Sequence, residues 1–198
     1  MNPFRTALAA LGLAVAASGA AVAAPIAFVP NPNHTFVRFS YDHFGFSRQQ
    51  SRFDKITGTV TLDPVARTGA VDLLIDTKSI DTGSALFNEH IQKPEFLDTG
   101  QYPTATFKST AVKFKGDAPV TIIGNLTLKG ITRPLTIHVT SFKHALNTLR
   151  QDSIGANATA IIKRSDYQMA KYVPLVSDDL DVSIAIEAAT AGSTPGAQ

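Results

Sequence analysis

Tyr102-Pro103-Thr104-Ala105-Thr106-Phe107-Lys108-Ser109-Thr110 is followed a short way on by Gly124-Asn125-Leu126-Thr127-Leu128-Lys129-Gly130-Ile131-Thr132-Arg133-Pro134-Leu135. Apolar and polar residues alternate with period two in both runs, and Lys129-Gly130 places a tight turn inside the second. Such alternation, closed off by Gly, Pro, Asn or Asp, is the signature of half-buried β-strands. It specifies an architecture and contains no catalytic motif.

Working outward, the same period recurs along the chain. Val37, Phe39 and Tyr41 share one face of a first predicted strand, and Ile56, Gly58, Val60 and Leu62 one face of a second, ended by Asp63-Pro64. Val71, Leu73 and Ile75 make a third. Ala105 and Phe107 are out of phase with Val112 and Phe114, so a fourth strand over about 104–115 is expected to hold a β-bulge. Val120 to Leu128 and Leu135 to Val139 give the fifth and sixth, 154–162 the seventh and 180–188 the eighth. Only 84–92 reads as helical, and Pro94 ends it. Eight antiparallel strands with one short helical insertion predict an all-β, lipocalin-like eight-stranded barrel, because closure removes the edges on which strands aggregate.

A barrel of eight strands either fills with side chains or holds one small ligand. Ala156, Ala158 and Ala160 occupy alternate positions, and Gly58 and Gly124 interrupt bulky faces, which would leave room inside. The other reading is that large neighbours such as Phe36, Phe39 or Phe107 fill that room.

The N-terminus carries Arg5, an apolar run from Ala7 to Ala17 and Ala21-Val22-Ala23, the pattern of a cleaved secretory signal. Expected boundaries are therefore a signal over 1–23, one domain over 24–188 and a disordered Ala/Gly/Ser/Thr tail over 189–198. The apolar run is short for a bilayer span, and no later stretch is long and uncharged enough to make a transmembrane segment. With no Cys in the chain, disulfides and thiol chemistry are excluded. The formal charge is +2, or +1 without Arg5, and without runs of one sign it points away from nucleic acid.

Catalytic and metal signatures are sparse. None of the five histidines forms a ligand pair at useful spacing with Asp or Glu. His43, of the same parity as Val37, Phe39 and Tyr41, is the one placed to point inwards at a strand end. His34, His138 and His144 read as solvated. Asp178-Asp179-Leu180-Asp181 lacks the calcium-loop pattern, and no serine sits in a Gly-x-Ser-x-Gly elbow. No metal, cofactor or catalytic residue is assigned. Aromatic residues are the denser class in the first half of the chain. Phe36, Phe39, Tyr41, His43, Phe44, Phe46, Phe87, Phe96, Phe107 and Ala158 are the candidate lining and mouth of an apolar pocket, with Phe44-Gly45-Phe46 beyond a strand end and Phe87 and Phe96 in the insertion.

Three blocks stand together in this order: His34-Thr35-Phe36-Val37-Arg38-Phe39-Ser40-Tyr41-Asp42-His43-Phe44-Gly45-Phe46-Ser47; Ser79-Ile80-Asp81-Thr82-Gly83 with Asn88-Glu89-His90-Ile91, Pro94-Glu95-Phe96-Leu97-Asp98 and the Tyr102–Thr110 run; and the 124–134 hairpin. Over about Ala27 to Glu187 they resemble the YceI-like family of periplasmic proteins. The resemblance implies an extended antiparallel barrel with a long apolar cavity that takes a polyisoprenoid chain, such as an isoprenoid quinone or a prenyl lipid. It also implies a periplasmic location, an isoprenoid lipid as partner and a binding role rather than an enzymatic one. Transient membrane contact and a homodimer are compatible with it; a filled barrel serving a structural or stress-response role is the alternative, and an enzyme that uses His43 with Asp42 or Arg38 on a bound lipid is a further one. Towards the C-terminus Tyr167 and Gln168 stand where the family usually has Phe and Gly, a departure that bears on the local turn and the cavity there.

Overall fold

The computed structural model describes residues 24–190; the expected signal over 1–23 and residues 191–198 of the expected tail lie outside them. The strands are β1 (Ile26–Pro30), β2 (Phe36–His43), β3 (Ser47–Phe53), β4 (Ile56–Asp63), β5 (Thr68–Asp76), β6 (Ile80–Asp81), β7 (Thr104–Lys115), β8 (Ala118–Leu128), β9 (Ile131–Leu146), β10 (Asp152–Lys163) and β11 (Asp179–Thr190). One helix, α1 (Ala85–Ile91), lies between β6 and β7.

Pairing runs β1-β4-β5-β7-β8-β9-β10-β11, and β1 also pairs with β11, so eight antiparallel strands close into the barrel expected from the alternation. Membership of that ring differs from the reading by one strand. Closure falls to β1, whose Phe28 lies opposite both Thr190 and Val60, while β2 pairs with the other half of β11 and continues outward into β3 and β6. The long strand β11 thus serves β1 at one end and β2 at the other. It extends to Thr190 because Ala189 and Thr190 pair with Val29 and Phe28. The expected phase slip in β7 is a register shift between Ser109 and Ala111, which carries Phe107 and Val112 to the same inner face.

The two ends of the barrel differ. One carries only short turns at 64–67, 116–117 and 147–151. There Phe28 has no exposed surface and meets the edge of His144 at 5.6 Å. His144, expected to be solvated, is exposed, and its ring also meets Phe28 and contacts Asp152 at 2.8 Å, because the register shift opposite Asn157 and Ala158 changes the parity of β9. The other end carries the β2–β3 turn, α1 with the segment after it, and the 164–178 connection.

Gly58 and Gly124 were read as places that leave space inside, and the structure corrects this. A Cβ on Gly58, at φ +129°, would lie 2.1 Å from the Asp72 carbonyl oxygen; one on Gly124 would lie 2.5 Å from the Lys108 oxygen and 2.6 Å from Phe107 Cζ. Neighbouring backbone and the Phe107 ring occupy the room that the missing side chains release.

Candidate functional site

The interior is not filled. A cavity of about 520 Å³ runs inside the barrel, a volume in the range of sites that enclose small molecules, and opens at the end that carries α1, where the lining residues Phe44 and Tyr172 reach the surface. Its walls are the inward faces of the strands. Val37, Phe39 and Tyr41 come from β2, Val71, Leu73 and Ile75 from β5, and Ala156, Ala158 and Ile162 from β10. The alternation that builds the sheet therefore also builds the cavity, since every second residue must face it. Among the described residues no Asp or Glu contributes to the wall.

Eight of the ten residues singled out from sequence line this cavity: Phe39, Tyr41, His43, Phe44, Phe87, Phe96, Phe107 and Ala158. Phe36 and Phe46 do not, and each corrects the reading for a definite reason. Phe36 has the opposite parity to Val37 and Phe39, so it faces out, where its ring packs under the guanidinium groups of Arg38 at 5.0 Å and Arg52 at 5.3 Å. Phe46 stands at the tip of the β2–β3 turn with 90% of its surface exposed.

Aromatic rings in sequence surround the opening. His43 meets Phe44 edge-on at 4.7 Å, Phe44 meets Tyr172 at 6.3 Å, Tyr172 meets Phe96 at 6.4 Å, Phe96 meets His90 at 4.9 Å and His90 stacks on Phe87 at 5.8 Å. Three chain segments supply these rings. Ser84 starts the helical one, its hydroxyl accepting from the Phe87 N–H. The Gln92 amide then donates to the Asn88 carbonyl at 2.9 Å and accepts from the Thr99 hydroxyl at 3.0 Å, which turns the chain back over the opening. Lys129 ties the segments together, donating to the Pro94 carbonyl at 2.6 Å and the Gln168 carbonyl at 3.2 Å.

The 164–178 connection is the part that sequence reasoning missed. It supplies Arg164, Met169, Lys171, Tyr172 and Val176 to the wall. Arg164, 7% exposed, donates to the carbonyls of Met169 (2.8 Å), Lys171 (3.3 Å), Val176 (2.9 Å) and Ser177 (2.9 Å), so one guanidinium gathers the whole loop around itself. The stretch Met169-Ala170-Lys171-Tyr172-Val173-Pro174-Leu175-Val176 is apolar but for Lys171 and does not alternate, the one signal that could have marked it as a cover over the opening rather than a strand.

Polar groups of the wall gather at the open end: Tyr41, His43, His90, Arg164 and Lys171. Burial raises the Tyr41 phenol above its ordinary value, with Ser51 and the Arg164 charge acting against it. Burial likewise lowers Arg164, which remains a cation. Lys171 lies 3.0 Å from Glu95 at the rim. The acidic cluster diverges: Asp178 accepts from Ser165, Asp179 from Lys163 at 2.7 Å, and Asp181 pairs with Arg48. Asp42 also turns to Arg48, on the outer face, and not to His43. Among the described residues no helix is long and apolar enough to cross a membrane.

Residues 28–188 match the profile of the YceI-like domain. A UPF0312 protein of Pseudomonas paraeruginosa is 32% identical over 179 residues, covering 90% of this chain and 93% of its own length. Protein YceI of Escherichia coli is 34% identical over 157 residues, covering 78% and 81%. Among solved structures, BcnA of Burkholderia cenocepacia superposes with a TM-score of 0.69 at 24% identity over 80% of this chain and 98% of BcnA. A polyisoprenoid binding domain from Saccharophagus degradans does so with a TM-score of 0.62 at 18% identity, over 83% and 99%. At those identities the likeness is one of fold.

Proposed function

The chain belongs to the YceI-like family, and from that membership together with its cavity we propose that it binds an isoprenoid lipid, either an isoprenoid quinone or a polyprenyl lipid. The protein sequesters or carries this ligand through the aqueous envelope of the cell, without catalysis. The observation that carries the reading is the polarity of the cavity: a long apolar interior whose polar residues, Tyr41, His43, His90, Arg164 and Lys171, all stand at its open end. An amphiphile with one greasy chain and one polar end has that same division. The description of the Saccharophagus degradans domain as polyisoprenoid binding adds weight.

Energetics agree with a tail-dominated site. Each methylene removed from water contributes about 0.8 kcal/mol, so a chain of several prenyl units offsets an immobilisation cost on the order of 4–15 kcal/mol. Shape and apolar area then supply most of the affinity. The reading includes export to the periplasm, supported by Arg5, the 7–17 apolar run and Ala21-Val22-Ala23.

Native mass spectrometry of the protein purified from its own compartment, followed by solvent extraction, tests this. A prenyl lipid or quinone present in stoichiometric amount is the expected result. A ligand-free mass that stays unchanged when such lipids are offered would remove the proposal.

A further inference from the structure

We infer that the protein docks on a lipid bilayer mouth first, with Phe46, Leu86 and Leu175 entering the interfacial layer of an uncharged membrane surface. These three side chains are 90%, 78% and 61% exposed. They belong to separate stretches of chain, the β2–β3 turn, the first turn of α1 and the 164–178 connection, yet those stretches meet around one opening. The Phe44 N–H donates to the Leu175 carbonyl at 2.7 Å, and the Phe96–Tyr172 contact at 6.4 Å joins the helical segment to the same loop.

Single exposed apolar residues are ordinary on a soluble protein. What distinguishes these is their placement and their continuity with the interior. Phe44 and Tyr172 line the cavity and are also 40% and 48% exposed, so these two rings belong both to the cavity wall and to the outer surface. The three side chains stand on separate stretches of chain around the opening; a fluid interface takes up such separate apolar tips where a folded partner would need a matching socket. Phe, Leu and Tyr are residues that gain by entering that layer.

Charge narrows the surface further. Three cations near the mouth are ion-paired within the protein, Arg48 to Asp42 and Asp181, Lys171 to Glu95 and Lys163 to Asp179, and Lys129 is held by the Pro94 and Gln168 carbonyls. Cations engaged in this way, beside the carboxylates of Glu89, Asp98 and Asp166 on the same segments, suit zwitterionic lipid better than anionic head groups.

The chain has no Trp, so a single introduced one reports its own surroundings. Phe46→Trp is placed at the mouth, and Leu149→Trp, on a residue 53% exposed in the β9–β10 turn, at the opposite end of the barrel. Mixed with phosphatidylcholine vesicles, Phe46→Trp is expected to shift its emission to the blue and to be quenched by brominated lipid, unchanged in high salt, while Leu149→Trp keeps its water-exposed emission. In flotation with the same vesicles, Phe46→Ser/Leu86→Ser/Leu175→Ser lowers the bound fraction by about tenfold or more, the loss expected for removing three apolar side chains. No shift of Phe46→Trp, an equal shift at both ends, or binding that requires anionic lipid and vanishes with salt would each overturn the inference. Because vesicle docking is read without any cavity ligand, its failure is separable from failure of the lipid-binding reading.

Discussion

The guanidinium of Arg164 donates from Nε to the carbonyl of Ser177 at 2.9 Å, closing a loop of thirteen residues back on its own starting point. The other donors of the same side chain take the Met169, Lys171 and Val176 carbonyls. Replacing it by Met keeps the length and removes every donor, leaving carbonyls without partners in a nearly enclosed place. Arg164→Met is therefore expected to lose about 3 kcal/mol of stability, read by urea denaturation. Hydrogen exchange supplies the local check: the amides of Val176 and Ser177, bonded to the Tyr172 and Asp42 carbonyls, exchange faster while the amides of β8 and β10 keep their protection. Uniform loss of protection would show that the loop is not a separate unit.

Ala158 is one of the alanines of the wall, 7% exposed and lining the cavity. Enlarging it puts atoms into open space rather than into packed neighbours, so the usual cost of overpacking, about 1–3 kcal/mol, is largely avoided. Ala158→Phe is expected to fold with stability within about 1 kcal/mol of the original and to lose affinity for a prenyl chain by about tenfold or more, since several methylenes lose their place. Titration with a fluorescent prenyl lipid measures the second effect and thermal unfolding the first. Retained affinity would place the lipid elsewhere.

The sheet was legible in the sequence where one face is apolar and the other polar. Val120 to Leu128 and the phase slip at Thr110 are visible because a buried face tolerates only one parity. By contrast β3, written Ser47-Arg48-Gln49-Gln50-Ser51-Arg52-Phe53, has almost no apolar face to reveal it, and β1 is five residues ending in proline. Phe36 was misplaced by counting aromatics without their parity. Most of the cavity wall followed from the strands and was readable. The cover formed by 164–178 was not, because its shape depends on one buried cation satisfying distant carbonyls, which no local pattern expresses. The glycines misled for a related reason: a missing side chain can admit a neighbouring strand as well as a ligand.

Acid should loosen the mouth before the barrel. Burial alone would raise Asp178, but hydrogen bonds from the Ser165 hydroxyl and N–H, with the Lys163 and Arg164 charges, hold it below its ordinary value of 3.8. Glu95 is held below 4.5, first by Lys171. A carboxylate lowered on folding contributes stability above its unfolded pKa and loses it as pH falls through the folded one. These two groups therefore add no pH dependence between about 5 and 8, and their contribution fades below about pH 4. Hydrogen exchange of 93–98 and 165–178 against pH is expected to rise on acidification below that point, ahead of the β8–β9 ladder. Loosening that already begins near pH 6 would assign the mouth's stability to other groups.

Glycines 58, 124 and 116 offer a graded test of how closely the strands approach. A methyl at Gly116, φ +62°, meets nothing within 4 Å, so Gly116→Ala bears only the cost of a left-handed backbone, about 1 kcal/mol. At Gly124 the backbone is ordinary but the methyl would lie 2.5, 2.6 and 2.8 Å from Lys108 O, Phe107 Cζ and Ser109 Cα. Two of those atoms are backbone and cannot swing away, so Gly124→Ala is expected to lose about 2–3 kcal/mol. Gly58 combines both penalties, φ +129° and a contact of 2.1 Å to the Asp72 oxygen, and Gly58→Ala should lose more than Gly124→Ala, on the order of 4 kcal/mol. Urea midpoints of the three variants should fall in the order Gly116→Ala, Gly124→Ala, Gly58→Ala. Were Gly124→Ala as stable as Gly116→Ala, the β7–β8 approach would be looser than the structure has it, and Phe107 would be free to move into the cavity.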